Sequence, residues 1–289
     1  MKTIATASCF FTLLGSASYS SVALADNLPG DYTPYPAGLR VVGLRYTQSF
    51  GGDYFAQGDL LDSKMNYQSQ QGLLSLNYYG GSGIRWALIG ALPFDHTEVR
   101  SNRLGLDASS TGIGDPYVVV GFWPLVRESY HVGFSGWVWV PIGSYESDRL
   151  INQGLNAWSA KAEVNFTWKP RPDWTLELTA ARRQFEDNRD FGPSHATLER
   201  AARNVLEGHL SRSVRQGLTV SLDYFYHEGS ETTVNGVARG DYWDDHAAQV
   251  TAVWKLGGGR ALTGWYRNDF VVRNGVESQS LGIRFMRAF

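Results

Sequence analysis

In the stretch "EGHLS", Glu207, His209 and Ser211 stand at alternate positions, which brings a carboxylate, an imidazole and a hydroxyl to one face of an extended chain. Such a set can activate a serine for acyl transfer, the carboxylate orienting the imidazole that takes the hydroxyl proton. The same face carries Arg203, however, which suits a polar interior better than a catalytic surface reaching lipid. A second stretch, "STGIGDPYVVVGFWPL" at 110–125, sets Gly112, Gly114 and Asp115 beside an apolar run, as a phosphate-cradling turn would. A dinucleotide fingerprint needs its glycines after a strand and before a helix, whereas these precede an extended run and Pro116 follows directly. The nucleotide reading fails, and the glycines are expected to let the backbone bend where a loop enters a strand. The six histidines show no metal-ligand spacing, so neither a metal nor a cofactor is expected.

The elements that must position these residues are strands. In "AWSAKAEVNFTWKP", Trp158, Ala160, Ala162, Val164, Phe166 and Trp168 share one face while Ser159, Lys161, Glu163, Asn165 and Thr167 share the other. Twelve segments read this way, at about 39–50, 71–79, 84–92, 113–123, 130–140, 157–168, 174–185, 199–212, 218–227, 245–256, 260–270 and 278–289. Short connections (80–83, 124–129, 169–173, 213–217, 257–259) alternate with mostly longer loops (51–70, 93–112, 141–156, 186–198, 228–244). A soluble sandwich has no reason to keep that rhythm. An outer-membrane barrel does, with tight periplasmic turns, long external loops and an even strand count.

Composition agrees. The chain has 10 Trp, 15 Tyr, 14 Phe and 32 Gly, and its 26 basic and 28 acidic residues give no reason to expect nucleic acid as a partner. Residues 1–25 read as a cleaved signal peptide: Lys2, an apolar stretch from Ile4 to Leu14, then Ala23-Leu24-Ala25. The expected domain is a transmembrane antiparallel β-barrel over 26–289, without the chain's one cysteine, Cys9. Indole girdles at the two membrane interfaces are expected from Trp86, Trp123, Trp168, Trp174 and Trp254 near the short turns and from Trp139, Trp158 and Trp243 near the long loops. Outer-membrane lipid is then a partner. In "SQSLGIRFMRAF", Leu281, Ile283, Phe285 and Phe289 share a face, a terminal-strand pattern that the barrel-assembly machinery reads; Arg287 departs from it, near enough to the end to snorkel.

The turn Gly112-Ile113-Gly114-Asp115, with Pro141-x-Gly143-x-Tyr145 and Asn152-x-Gly154-x-Asn156-x-Trp158, resembles the outer-membrane family named for the meta-pathway of phenol degradation. The likeness is firmest over 110–170. It implies a barrel transporter admitting hydrophobic or aromatic compounds, and it carries over no catalytic residue.

Alternation places Arg45, Asp115, Tyr117, Lys161, Glu163, Glu177, Arg183, Glu207, His209, Asp223, His227 and Lys255 toward the lumen. Their mixed signs suit paired charges bracing a narrow interior. Trp137 and Trp139 have two readings: flat faces turned inward to meet an aromatic permeant, or packing and girdle residues if a bulge reverses the register. The expected function is passive uptake of small hydrophobic or aromatic molecules. The alternatives are a lipid-modifying hydrolase using Ser211, and a non-conducting structural or adhesive barrel displaying loop 228–244.

Overall fold

The computed structural model describes residues 26–289; the expected signal peptide lies outside the described residues. Twelve long antiparallel strands form the barrel. They are β1 (Arg40–Ala56), β2 (Asn66–Gly80), β3 (Arg85–Ser101), β4 (Tyr117–Val126), β5 (Tyr130–Trp139) and β6 (Ser159–Arg171), then β7 (Trp174–Phe185), β8 (Arg203–Arg215), β9 (Leu218–Gly229), β10 (Trp243–Gly257), β11 (Arg260–Val271) and β12 (Gly275–Ala288). Each pairs with its chain neighbours, and β12 pairs with β1 in a register that runs from Val41 opposite Ala288 to Phe55 opposite Gly275, closing the sheet on itself. Closure leaves every barrel strand partnered, which a hydrocarbon environment demands of backbone polar groups.

Side-chain alternation fixes the two faces. Leu74, Leu76, Val118, Val120, Phe122, Leu210, Leu222, Val250, Leu281 and Ile283 are exposed on the outside, while Thr47, Gln71, Asn165, Glu207, Asp223 and Thr251 are buried within. This inversion of a soluble core, apolar outside and polar inside, is that of a transmembrane barrel. The expected twelve segments each overlap one barrel strand in order, with 113–123 and 199–212 beginning on short strands that precede β4 and β8.

Several strands run past their expected ends. At a rise of about 3.4 Å per residue, the 17 residues of β1 and of β3 exceed the ~9–11 that cross a bilayer, so their outer halves stand above it. There β3 pairs with a further strand, Leu106–Ile113, and the chain steps inward at residues 114–116 before continuing as β4. Four short strands, Asn188–Phe191, Ala196–Arg200, Thr232–Val234 and Val237–Ala238, make a separate small sheet from two of the long loops.

Parity corrects the girdles. Trp123, Trp139 and Trp243 are buried, because each has the inward parity of its strand, and Trp123 Nε1 donates to the Tyr32 carbonyl at 2.9 Å. Trp86, Trp168, Trp254 and Trp158 face outward.

The lumen is not empty. Residues 26–39, which precede β1, enter it from the short-turn end and reach its middle. Asp26 Oδ2 accepts from Arg267 Nη1 at 2.7 Å with His227 Nε2 3.0 Å from Oδ1, Asn27 Nδ2 donates to Glu207 at 2.8 Å, and Asp31 pairs with Arg284 at 2.7 Å.

Candidate functional site

Three inward aromatic residues narrow the lumen between β4, β5 and β6. Trp137 and Trp139 stack with ring centroids 5.6 Å apart and planes at 14°, and Tyr117 lies 5.3 Å from the first and 5.4 Å from the second. No bulge reverses β5; its pairing with β6 is continuous from Tyr130 opposite Trp168 to Trp139 opposite Ser159. The indoles, however, already carry cations. Lys161 Nζ sits 3.8 Å from the Trp137 ring centroid and Arg183 Cζ 3.8 Å from that of Trp139. Desolvated contacts of this kind are worth about 2 kcal/mol.

Glu163 ties the group together. Its carboxylate pairs with Lys161 Nζ at 2.5 Å and accepts from Trp137 Nε1 at 2.9 Å, Ser135 Oγ at 2.9 Å and Tyr32 Oη at 2.8 Å. Strand alternation on β5 and β6 brings four of these groups to one level, and the N-terminal segment adds the fifth.

Asp115 occupies the inward step between Leu106–Ile113 and β4. Its two oxygens accept backbone N–H groups from loop 140–158, Oδ1 from Gly143 at 3.0 Å and Oδ2 from Leu155 at 2.8 Å. The glycines around it answer to crowding as well as to the irregular pairing at 114–116. A Cβ on Gly154 would stand 2.9 Å from Asp115 Oδ1 and from the Gly143 carbonyl carbon, and one on Gly114 would stand 2.9 Å from Asp95 Oδ2; neither residue has a positive φ. The bend is thus also a close-packed clamp, in which the motif residues Gly114, Asp115, Gly143 and Gly154 meet in space. Beyond the clamp, Ile151 of the same loop joins Tyr54, Met65, Tyr67, Val99 and Leu106 in an apolar cluster under the long-loop end.

Further round the barrel, on β7 to β10, the remaining candidates form a polar network. His209 Nδ1 lies 3.0 Å from Asp223 Oδ1, which also accepts from Ser221 Oγ at 2.5 Å, while Gln249 Nε2 donates to Asp223 Oδ2 at 3.1 Å. Glu177 accepts the Gly30 N–H at 2.9 Å, and His227 meets Asp26. Ser211 shares the face of His209 but its hydroxyl has no hydrogen-bond partner, so serine and imidazole are not paired as the acyl-transfer reading requires. No group of three or more acidic, histidine or cysteine side chains suited to a metal occurs among the described residues.

Between the aromatic waist and the short-turn end lies a chamber of about 730 Å³. Leu73, Ile89, Tyr117, Val119, Trp137 and Met286 supply apolar and aromatic wall, and Arg45 enters it with its guanidinium 4.9 Å from the Trp265 ring. Lys255, expected in the lumen, stands exposed at the chamber mouth with Arg127 and Lys169. Toward the long-loop end, between His227, Trp243 and Asp245, lies a further space of about 50 Å³. Sequence reasoning missed the N-terminal segment and its partners Arg267 and Arg284. The available signal was "DNLPGDYTPYP", rich in proline and without period, directly after the expected signal peptide.

Among solved structures, the COG4313 outer membrane channel from Pseudomonas putida F1 is similar at a TM-score of 0.88 and 23% identity, over 91% of this chain and 100% of that one. The transport unit of the autotransporter AIDA-I from Escherichia coli is similar at 0.55 and 9% identity, over 95% and 97% of the two chains. The NanC porin is similar at 0.51 and 8%, over 85% and 98%. These likenesses are of fold. A comparison with curated proteins finds no match. Residues 50–285 match the family described as "Putative MetA-pathway of phenol degradation", and the chain, whose Asp115 clamp and glycines fall inside that span, belongs to this family.

Proposed function

We propose that this protein is an outer-membrane channel through which small apolar or aromatic molecules move down their own gradient. The chamber carries the reading. Among polar and charged residues such as Arg45, Glu177 and Arg284, its wall carries an apolar and aromatic patch in which Leu73, Ile89, Tyr117, Val119 and Trp137 pack together. A dry apolar cavity of about 150 Å³ is enough to hold benzene, so a chamber of about 730 Å³ accommodates a substituted ring with room to turn. The waist above it is polar at its edges and braced by Lys161, Glu163 and Arg183, which disfavours large solutes by size and rigidity.

A lateral route has its own supporting observation. Leu106–Ile113 pairs with β3 on one edge only. Its other edge is covered by loop 140–158, through Ser144 N donating to the Ile113 carbonyl at 2.8 Å and Gln153 Nε2 to that of Ser110 at 3.0 Å. Displacing one loop would open the side of the wall where it rises above the bilayer.

The test is uptake into liposomes holding the purified protein, with a panel of labelled aromatic and aliphatic solutes, a sugar and an inorganic ion. Faster entry of the apolar solutes than of the sugar is expected. Equal entry of all, or of none, sinks the proposal.

A further inference from the structure

Charge is unevenly divided along the barrel axis. The short turns at 80–85, 126–130, 168–174, 212–218 and 254–260 carry eight Arg and Lys against Glu128 and Asp173, in a chain with more acidic than basic residues overall. Within this rim Arg212 meets Asp173 at 3.4 Å, and Arg127, Lys169 and Lys255 edge the chamber mouth.

One group is different. Arg260 at the start of β11 and Arg287 near the end of β12 are directly opposite in register, and both have the outward parity of Phe285 and Tyr266. Arg40, at the start of β1, has the outward parity of Leu44; its strand is joined to the same seam by Val42 opposite Arg287 and by Phe289 N donating to the Arg40 carbonyl at 2.9 Å. None of the three guanidiniums forms an ion pair with a carboxylate among the described residues. Arg287 and Arg260 donate to the turn that joins β10 to β11, to the Gly258 carbonyl at 2.8 Å and the Gly257 carbonyl at 3.3 Å, and Arg287 Cζ lies 5.4 Å from the Phe289 ring. Like charges directly opposite across a strand pair are destabilising unless an anion lies between them. Arg287 is also the residue that breaks the apolar face of the last strand.

Exposed Trp254, Phe285 and Leu256 lie beside this group, at the level where a bilayer passes from acyl chain to headgroup. Guanidinium forks match phosphate oxygens two by two, and basic residues at a membrane surface favour anionic lipid. We propose that Arg40, Arg260 and Arg287 form a binding site for the phosphate of an anionic glycerophospholipid in the leaflet at the short-turn end, its acyl chains lying along Phe285 and Trp254. An outer-membrane barrel turns this end to the periplasm, where the leaflet is phospholipid. The site depends on that placement but not on any transport activity.

The experiment is native mass spectrometry of the protein in neutral detergent, titrated with phosphatidylglycerol or phosphatidylcholine. Four forms are compared: wild type, Arg260→Gln, Arg260→Gln/Arg287→Gln, and Arg171→Gln/Arg215→Gln as a rim control. Folding of each is checked by heat-modifiable gel migration, and Arg260→Gln leaves the terminal strand intact should the double variant fail to assemble. One phosphatidylglycerol bound in preference to phosphatidylcholine is expected, weakened on the order of 30-fold in the double variant and unchanged in the control. Three results overturn the proposal: no preference for phosphatidylglycerol, equal loss in the rim control, or displacement of the lipid by millimolar inorganic phosphate.

Discussion

Replacing Asp115 by alanine removes a side chain that ties the inward step of the wall to loop 140–158 through two backbone N–H groups, at 3.0 and 2.8 Å. Hydrogen bonds to a charged acceptor contribute about 1.5–3 kcal/mol each, so the lower figure twice over gives roughly 3 kcal/mol. That free energy is lost from the loop's closed state rather than from the barrel, whose strands keep every ladder bond. At about 1.4 kcal/mol per decade, the population of open loop rises on the order of 100-fold. Asp115→Asn keeps the shape and one acceptor oxygen but turns an amide N–H₂ toward a backbone donor, and an intermediate rise of about 10-fold follows. Amide hydrogen exchange read at Gly143 and Leu155 measures this directly, with β8 and β9 amides as the internal reference. Equal protection at Gly143 in wild type and Asp115→Ala would show that the loop is held by other contacts and that the carboxylate is no clamp.

Other substitutions probe separate parts. Glu163→Gln leaves Lys161 buried without its counter-charge, a change that costs about 3–5 kcal/mol in buried pairs, and the denaturant midpoint in lipid should fall; an unchanged midpoint would mean water already solvates the pair. Deleting residues 26–38 should raise single-channel conductance, since the segment occupies lumen cross-section; equal conductance would place the limiting constriction elsewhere. Gly282→Leu should block assembly, because a Cβ there would stand 1.9 Å from Trp265 Cζ2, and a normal yield of heat-modifiable protein would refute that. Trp137→Ala should speed uptake of bulky rings while leaving small ions little changed, as measured by the liposome panel; a uniform change would indicate loss of the waist as a whole.

The strands were legible where lipid enforces contrast between the two faces and obscure where it does not. Within the bilayer, Leu74 and Leu76 alternate with inward residues and the period of two is plain. Above it, the start of β2 reads "NYQSQ", with exposed Gln68 and Gln70 flanking buried Ser69, so both faces are polar and the outer half of the strand disappears into an apparent loop. Interior positions followed from parity, and parity applied strictly would also have turned Trp123 and Trp243 inward and decided between the two readings of Trp139. The contacts among them did not follow. Nothing in the spacing of Lys161 and Arg183 says that they lie over indole faces, and the partners of Glu207, Glu177 and His227 come from a segment without period.

The N-terminal segment has a consequence for how the molecule assembles. It precedes β1 in the chain, yet its partners are spread around the circumference: Glu163 on β6, Glu207 on β8, Arg267 on β11 and Arg284 on β12. Before β12 meets β1 these groups are far from one another, and the segment can satisfy only a few of them at a time. Its full set of bonds becomes available only in the finished cylinder. Docking of the segment is thus a late step that rewards correct closure, and a barrel sealed in the wrong register would leave Asp26 and Asp31 without their arginines.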